Sequence, residues 1–171
     1  MNKSIYVMFV TILFSCNQND RAEFVEQQRR QNEEAIKPVI QQLVDGVAKV
    51  DSNKVFSLMA LGEGFIYVDP HGVVFNAKEY KQVAADFWKD VKEELIAAGE
   101  DRYLHVDKDN VLWTHTSAMV VNFKDGNSLK IEPFSVTMLF RKREGQWKIY
   151  FIQESGLLPL NPPAPVEPAG K

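Results

Sequence analysis

Large apolar and polar residues alternate along the last third of the chain. In WKIYFIQES, Trp147, Ile149, Phe151, Gln153 and Ser155 fall on one side of an extended strand, and Lys148, Tyr150, Ile152 and Glu154 on the other. The preceding run, FSVTMLFRKR, leads into Glu144-Gly145, a pair suited to a tight turn, so residues 134–155 are predicted to form a hairpin. The face carrying Trp147 is bulky and apolar and ends in two polar groups. That suits a sheet wrapped around a cavity, with Trp147 at the closed end and Gln153 and Ser155 near an opening.

The rest of the pattern surrounds this hairpin. Residues 17–37 are dominated by Gln, Asn, Glu and Arg and have almost nothing to bury, so they read as a polar spacer. Pro38 suits the first turn of a helix, and Val39, Ile40, Leu43, Val44, Val47 and Val50 then recur at near-helical spacing. Asp51 or Ser52 can cap a second, short helix reaching Leu61. Short strands at 65–68 and 73–75 flank the turn Asp69-Pro70-His71-Gly72. A third helix is predicted over 77–98, with Tyr80, Val83, Ala84, Phe87, Trp88, Val91 and Leu95 on its apolar side and Gly99 ending it. Strands follow at 103–114, 117–124, 128–141 and 146–154, with a turn at Asp125-Gly126-Asn127 and a bulge or bend at Pro133. Residues 157–171 hold five of the eight prolines and read as an extended tail. Helices first and strands last imply an α+β domain over 38–156, with helices on one face of a curved antiparallel sheet.

Composition narrows the function. The chain has 171 residues, enough for one domain with a real core, and a formal net charge of −3. No run of Lys or Arg suggests a nucleic-acid footprint. A single cysteine excludes both an intrachain disulfide framework and a multi-cysteine zinc site. His71, His105 and His115 lie in three separate segments, and nothing pairs them with a second ligand at helical or strand spacing, so no metal and no cofactor are expected. The cysteine closes a signal-like segment. Residues 1–16 have a cationic start at Lys3, an apolar run too short to span a bilayer, and the ending Leu13-Phe14-Ser15-Cys16, which resembles a bacterial lipobox. The expectation is a signal peptide over 1–16, a lipid on Cys16, and a domain held at a membrane of the bacterial envelope, inner or outer.

A short helix leading into FIYVDPHG, the helix after that glycine, and the closing EGQWKIYFIQES carry a resemblance over about two-thirds of the chain. It resembles the nuclear-transport-factor-two-like fold, in its SnoaL-like and ketosteroid-isomerase-like bacterial branch. The resemblance implies a cone of sheet and helices enclosing a pocket, in which a carboxylate or histidine can act as general base. Asp69 matches the aspartate that shuttles protons in ketosteroid isomerases. The tyrosine those enzymes place on the first helix falls near Leu43, and their oxyanion-hole acid near Phe134, so both partners are replaced. Many relatives have a histidine where this chain has Gln153, while Ser155 is kept; Gln can hydrogen-bond but takes no proton at neutral pH.

Candidate site residues are therefore Asp69 as base, and Tyr67, Trp88, Phe151, Gln153 and Ser155 as pocket lining. Each has a plainer reading: Asp69 before Pro70 as turn chemistry, the tryptophans as core, Gln153 and Ser155 as strand-end partners. Three functions remain open, and the replaced acid-base partners favour the first. The first is a non-catalytic, membrane-anchored domain binding a small apolar or amphipathic molecule. The second is an isomerase, cyclase or dehydratase using Asp69. The third is an interaction module of the envelope. A homodimer formed through the outer face of the sheet is expected as well, around Ser135, Thr137, Leu139, Tyr150 and Ile152.

Overall fold

The computed structural model describes residues 18–157. The signal-like segment with Cys16, and the proline-rich tail beyond Leu157, lie outside the described residues. Helix α1 (Gln18–Ala48) is followed by α2 (Ser52–Ser57), strands β1 (Ile66–Val68) and β2 (Val74–Asn76), and helix α3 (Ala77–Trp88). Five more strands complete the chain: β3 (Val91–Ile96), β4 (Glu100–His105), β5 (Asn110–Phe123), β6 (Ser128–Arg143) and β7 (Gln146–Gly156). The fold is the expected α+β class.

One curved seven-stranded sheet runs β2-β1-β7-β6-β5-β3, and β4 pairs with the other end of β5. All pairings are antiparallel except β1 with β7. Bulges bend the long strands, because an extra unpaired residue sharpens local twist. On β6, Glu132 and Pro133 together face Ala118, the irregularity expected at Pro133. On β7, Leu139 pairs with Phe151 and Phe140 with Ile149, leaving Tyr150 as the extra residue. On β3, Lys92 is the extra residue between Val91 and Glu93.

Helix α1 differs from expectation. It does not start at Pro38 but runs through it, and the spacer is helical from Gln18. Pro38 costs one backbone hydrogen bond. It sits on the exposed side, while Ile36 and Leu43 bury the opposite stripe. The stripe extends upstream through a polar residue with partners: Asn32 is buried, donates to the Lys108 carbonyl at 3.0 Å and accepts from Gln28 at 3.1 Å. α2 is shorter than expected but capped as expected, Asp51 accepting from the Lys54 amide at 3.0 Å.

The third helix also stops early. Asn76 caps α3 and Glu79 returns a bond to the Asn76 amide, but the helix ends at Trp88. Val91–Ile96 is a strand, because the end of β5 offers an unpaired backbone edge and pairing with it outweighs helical propensity. The core lies between the helices and the inner face of the sheet, with Ile36, Val55, Phe65, Phe134, Phe140 and Ile149 at its centre. Among the described residues, no helix is long and apolar enough to cross a membrane.

Candidate functional site

A cavity of about 740 Å³ opens between α1, α3 and the inner face of the sheet. Its apolar wall comes from Leu43 and Val47 on α1, Val83 and Phe87 on α3, and Met119, Val136 and Met138 on β5 and β6. Four carboxyl groups and two histidines reach it: Asp69, Glu94, Asp101, Glu154, His71 and His115.

Glu94 projects from β3. Bulging at Lys92 and pairing with Val121 turn it inward, where it is 7% exposed. The Trp88 indole N–H, at the end of α3, donates to one of its oxygens. Burial pushes the Glu94 carboxyl up to about 7; the Trp88 bond pulls the other way, and the Glu154 carboxyl adds to the rise. Such a group gains or loses a proton near neutrality.

Glu154 reaches the same cavity from β7. The Tyr67 hydroxyl donates to its Oε2 at 2.9 Å. Burial raises the Glu154 carboxyl above its ordinary value, against the stabilising Tyr67 bond and with help from Asp69. Tyr67 is itself raised, first by burial and then by Glu154, so the phenol keeps its proton. Tyr80 packs on Tyr67 with ring centroids 4.7 Å apart.

A third polar group lies further along β5. His115 faces Asp101 directly across β4 and β5, and its Nδ1 is 2.7 Å from Asp101 Oδ1. Its Nε2 lies 3.2 Å from the Ala97 carbonyl. The Trp113 indole donates to the same Asp101 oxygen at 3.1 Å.

The residues selected from the sequence divide. Tyr67 and Trp88 line the cavity. Asp69 is at the mouth, but one oxygen serves the β1–β2 turn, accepting from the His71 amide at 2.9 Å and the Val73 amide at 2.8 Å. Its other oxygen is 3.5 Å from His71 Nδ1. Phe151, Gln153 and Ser155 do not line the cavity. The extra residue Tyr150 reverses the alternation of β7, so Ile152 and Glu154 point inward, while Gln153 and Ser155 are exposed. Ile152, expected on the outer face, is 2% exposed.

Sequence reasoning missed Glu94, Glu154 and the His115–Asp101 pair. The last was legible, since Val111, Trp113 and His115 alternate onto one buried face of a strand. Glu94 and Glu154 were not, because each owes its direction to a bulge that no residue type announces.

The model of the SnoaL-like domain family matches residues 36–159. The chain belongs to the SnoaL-like family. Solved structures agree with this fold. A hexachlorocyclohexane dehydrochlorinase, LinA type 2, is 17% identical with a TM-score of 0.63, the match covering 81% of this chain and 99% of that one. The type 3 LinA enzyme from Novosphingobium barchaimii is 15% identical, with a TM-score of 0.63 and coverage of 77% and 90%. An NTF2-like protein from Cytophaga hutchinsonii is 12% identical, with a TM-score of 0.54 and coverage of 73% and 98%. Sequence comparison with curated proteins finds no match. At these identities the likeness concerns the fold, and the SnoaL-like cone of this chain has to be read from its own residues.

Proposed function

We propose that this SnoaL-like domain binds a small, largely apolar molecule in its cone and moves a proton on it without a cofactor, in an elimination or isomerisation. The observation carrying this reading is Glu94: a carboxyl facing an apolar cavity, held by one indole donor, with its affinity for protons raised to about 7. A base of that strength is present in useful amount at neutral pH and takes a proton more readily than an ordinary carboxylate. The Tyr67–Glu154 pair faces it and supplies hydrogen bonding to charge developing on the substrate. The role first given to Asp69 passes to Glu94, because Asp69 is engaged in its turn. The dehydrochlorinases named above perform an elimination, the same kind of reaction.

The test is a panel of small ketones and halocarbons, read by deuterium exchange or halide release. Glu94→Gln keeps shape and the Trp88 bond but cannot accept the proton, so turnover should fall on the order of 100-fold or more with binding retained. Asp69→Asn, whose amide oxygen still accepts the turn amides, should stay close to wild type. If panel members bind and none reacts, the non-catalytic binding domain expected from the sequence is the right reading.

With this activity we propose an address and an assembly. The address is the bacterial envelope, through a lipid on Cys16, supported by the sequence of residues 1–16. The assembly is a homodimer through the outer face of the sheet. Leu104, Leu112, Leu139, Phe151 and Ile66 pair in register across β4, β5, β6, β7 and β1, making one apolar row with Leu104 63% and Ile66 41% exposed.

A further inference from the structure

We infer that the molecule held in the cone carries a positive charge, as an amine or another organic cation with an apolar body. This rests on the reading of the cone as a small-molecule site and adds the chemical class of its occupant.

The chain has 20 Lys and Arg residues, yet among the described residues none lines the cavity, while four carboxyl groups do. Two of the four have partners. Asp101 faces His115 and the Trp113 indole, and Asp69 accepts two turn amides. The other two have only neutral donors, Trp88 for Glu94 and Tyr67 for Glu154. Each therefore keeps an oxygen without a hydrogen-bond partner among the described residues.

Uncompensated carboxyl groups in an apolar enclosure are costly when ionised, and they oppose each other's ionisation. A cation entering the same space removes that opposition, because in a medium of low dielectric its attraction to a carboxylate is far stronger than in water. A neutral ligand gains nothing from the pair beyond a hydrogen bond. An anion gains nothing that offsets the cost of ionising either carboxyl and, among the described residues, meets no Lys or Arg on the wall. Aromatic faces add to the selection: Tyr67, Tyr80 and Trp88 stand beside the two glutamates, and their rings attract a cation that has lost its water. His71 does not offset this. It sits at the rim with its side chain 68% exposed and Asp69 beside it.

The test uses three probes with one apolar body, 4-phenylbutylamine, 4-phenylbutanol and 4-phenylbutyrate, titrated calorimetrically into the purified protein at neutral pH and low salt. The amine should bind at least about 10-fold more tightly than the alcohol, and the carboxylate most weakly. In Glu94→Gln/Glu154→Gln the amine should lose that advantage, with the alcohol changed by less than about 3-fold. Circular dichroism establishes that the double variant is folded; if it is not, the wild-type order of the three probes decides alone. Equal binding of amine and alcohol, or preference for the carboxylate, overturns the cation inference and leaves the apolar site standing. Failure of all three to bind overturns both.

Discussion

Trp88 and Glu94 are six residues apart, and between them a helix ends and a strand begins, so that the indole N–H at the end of α3 donates to a carboxyl oxygen on β3. The bond lies on the cavity wall and fixes the orientation of the group given the proton-transfer role. It also sets a debt in stability. A carboxyl that is easier to protonate when folded favours the folded state only while it carries its proton.

The first prediction follows from that sign. Glu94 rises from 4.5 to about 7, so between these values the folded chain holds a proton that the unfolded chain has released. Its contribution is fully present below 4.5 and is lost as pH rises through about 7, a total on the order of 3 kcal/mol. Glu94→Gln cannot ionise. In urea unfolding it should exceed wild type by roughly 1–3 kcal/mol at about pH 8, with the gap closing by about pH 5. A gap that stays constant across this window would sink the buried-carboxyl account.

A second prediction tests the reversed alternation of β7. Ile152 is 2% exposed and its neighbour Gln153 is exposed. Ile152→Asp should cost about 3–5 kcal/mol by burying an unpaired charge, and Gln153→Asp should change stability by less than about 0.5 kcal/mol. Unbroken alternation from Trp147 demands the opposite order, so thermal unfolding of the two variants separates the cases.

The third concerns assembly. Because Ile152 is internal, a substitution there cannot probe the outer face. Leu104→Lys with Phe151→Lys places two charges in the apolar row instead, and sedimentation at micromolar concentration should show wild type as a dimer and the variant as a monomer. Wild type sedimenting as a monomer at that concentration would remove the assembly.

The fourth concerns the address. In a bacterium that processes lipoproteins, the wild-type chain should follow the membrane fraction and Cys16→Ser should not. Wild type recovered in the soluble fraction would refute lipidation.

Much of this architecture was legible in the chain. The class, the turn at Asp69-Pro70-His71-Gly72, the capped start of α2 and the break at Pro133 all come from local chemistry that the fold retains. What could not be read was set by pairing between distant residues. With Lys92 bulged out, Val91 and Glu94 are both buried at a spacing of three, which in a bare sequence is the spacing of a helix. Hence the spacing predicts a third helix reaching residue 98, ten residues past its end at Trp88. In β7 a single uncounted residue, Tyr150, moved every later side chain to the other face. Gln153 and Ser155 were exchanged for Ile152 and Glu154. Helix α1 was missed upstream because its buried stripe continues through Asn32, whose partner at Lys108 lies 76 residues away.

The continuity of α1 has a mechanical meaning. Its 31 residues span about 46 Å, and its first turns run ahead of Asn32, which bonds to the Lys108 carbonyl on the sheet side of the domain. Cys16 precedes Gln18, the first described residue of the helix, by only two positions. On a chain tethered there, the lever between bilayer and domain is a rod rather than a string. With the proposed lipid on Cys16, such a rod would set how far the domain can stand from the bilayer, where a flexible spacer of the same length would let it collapse onto the surface.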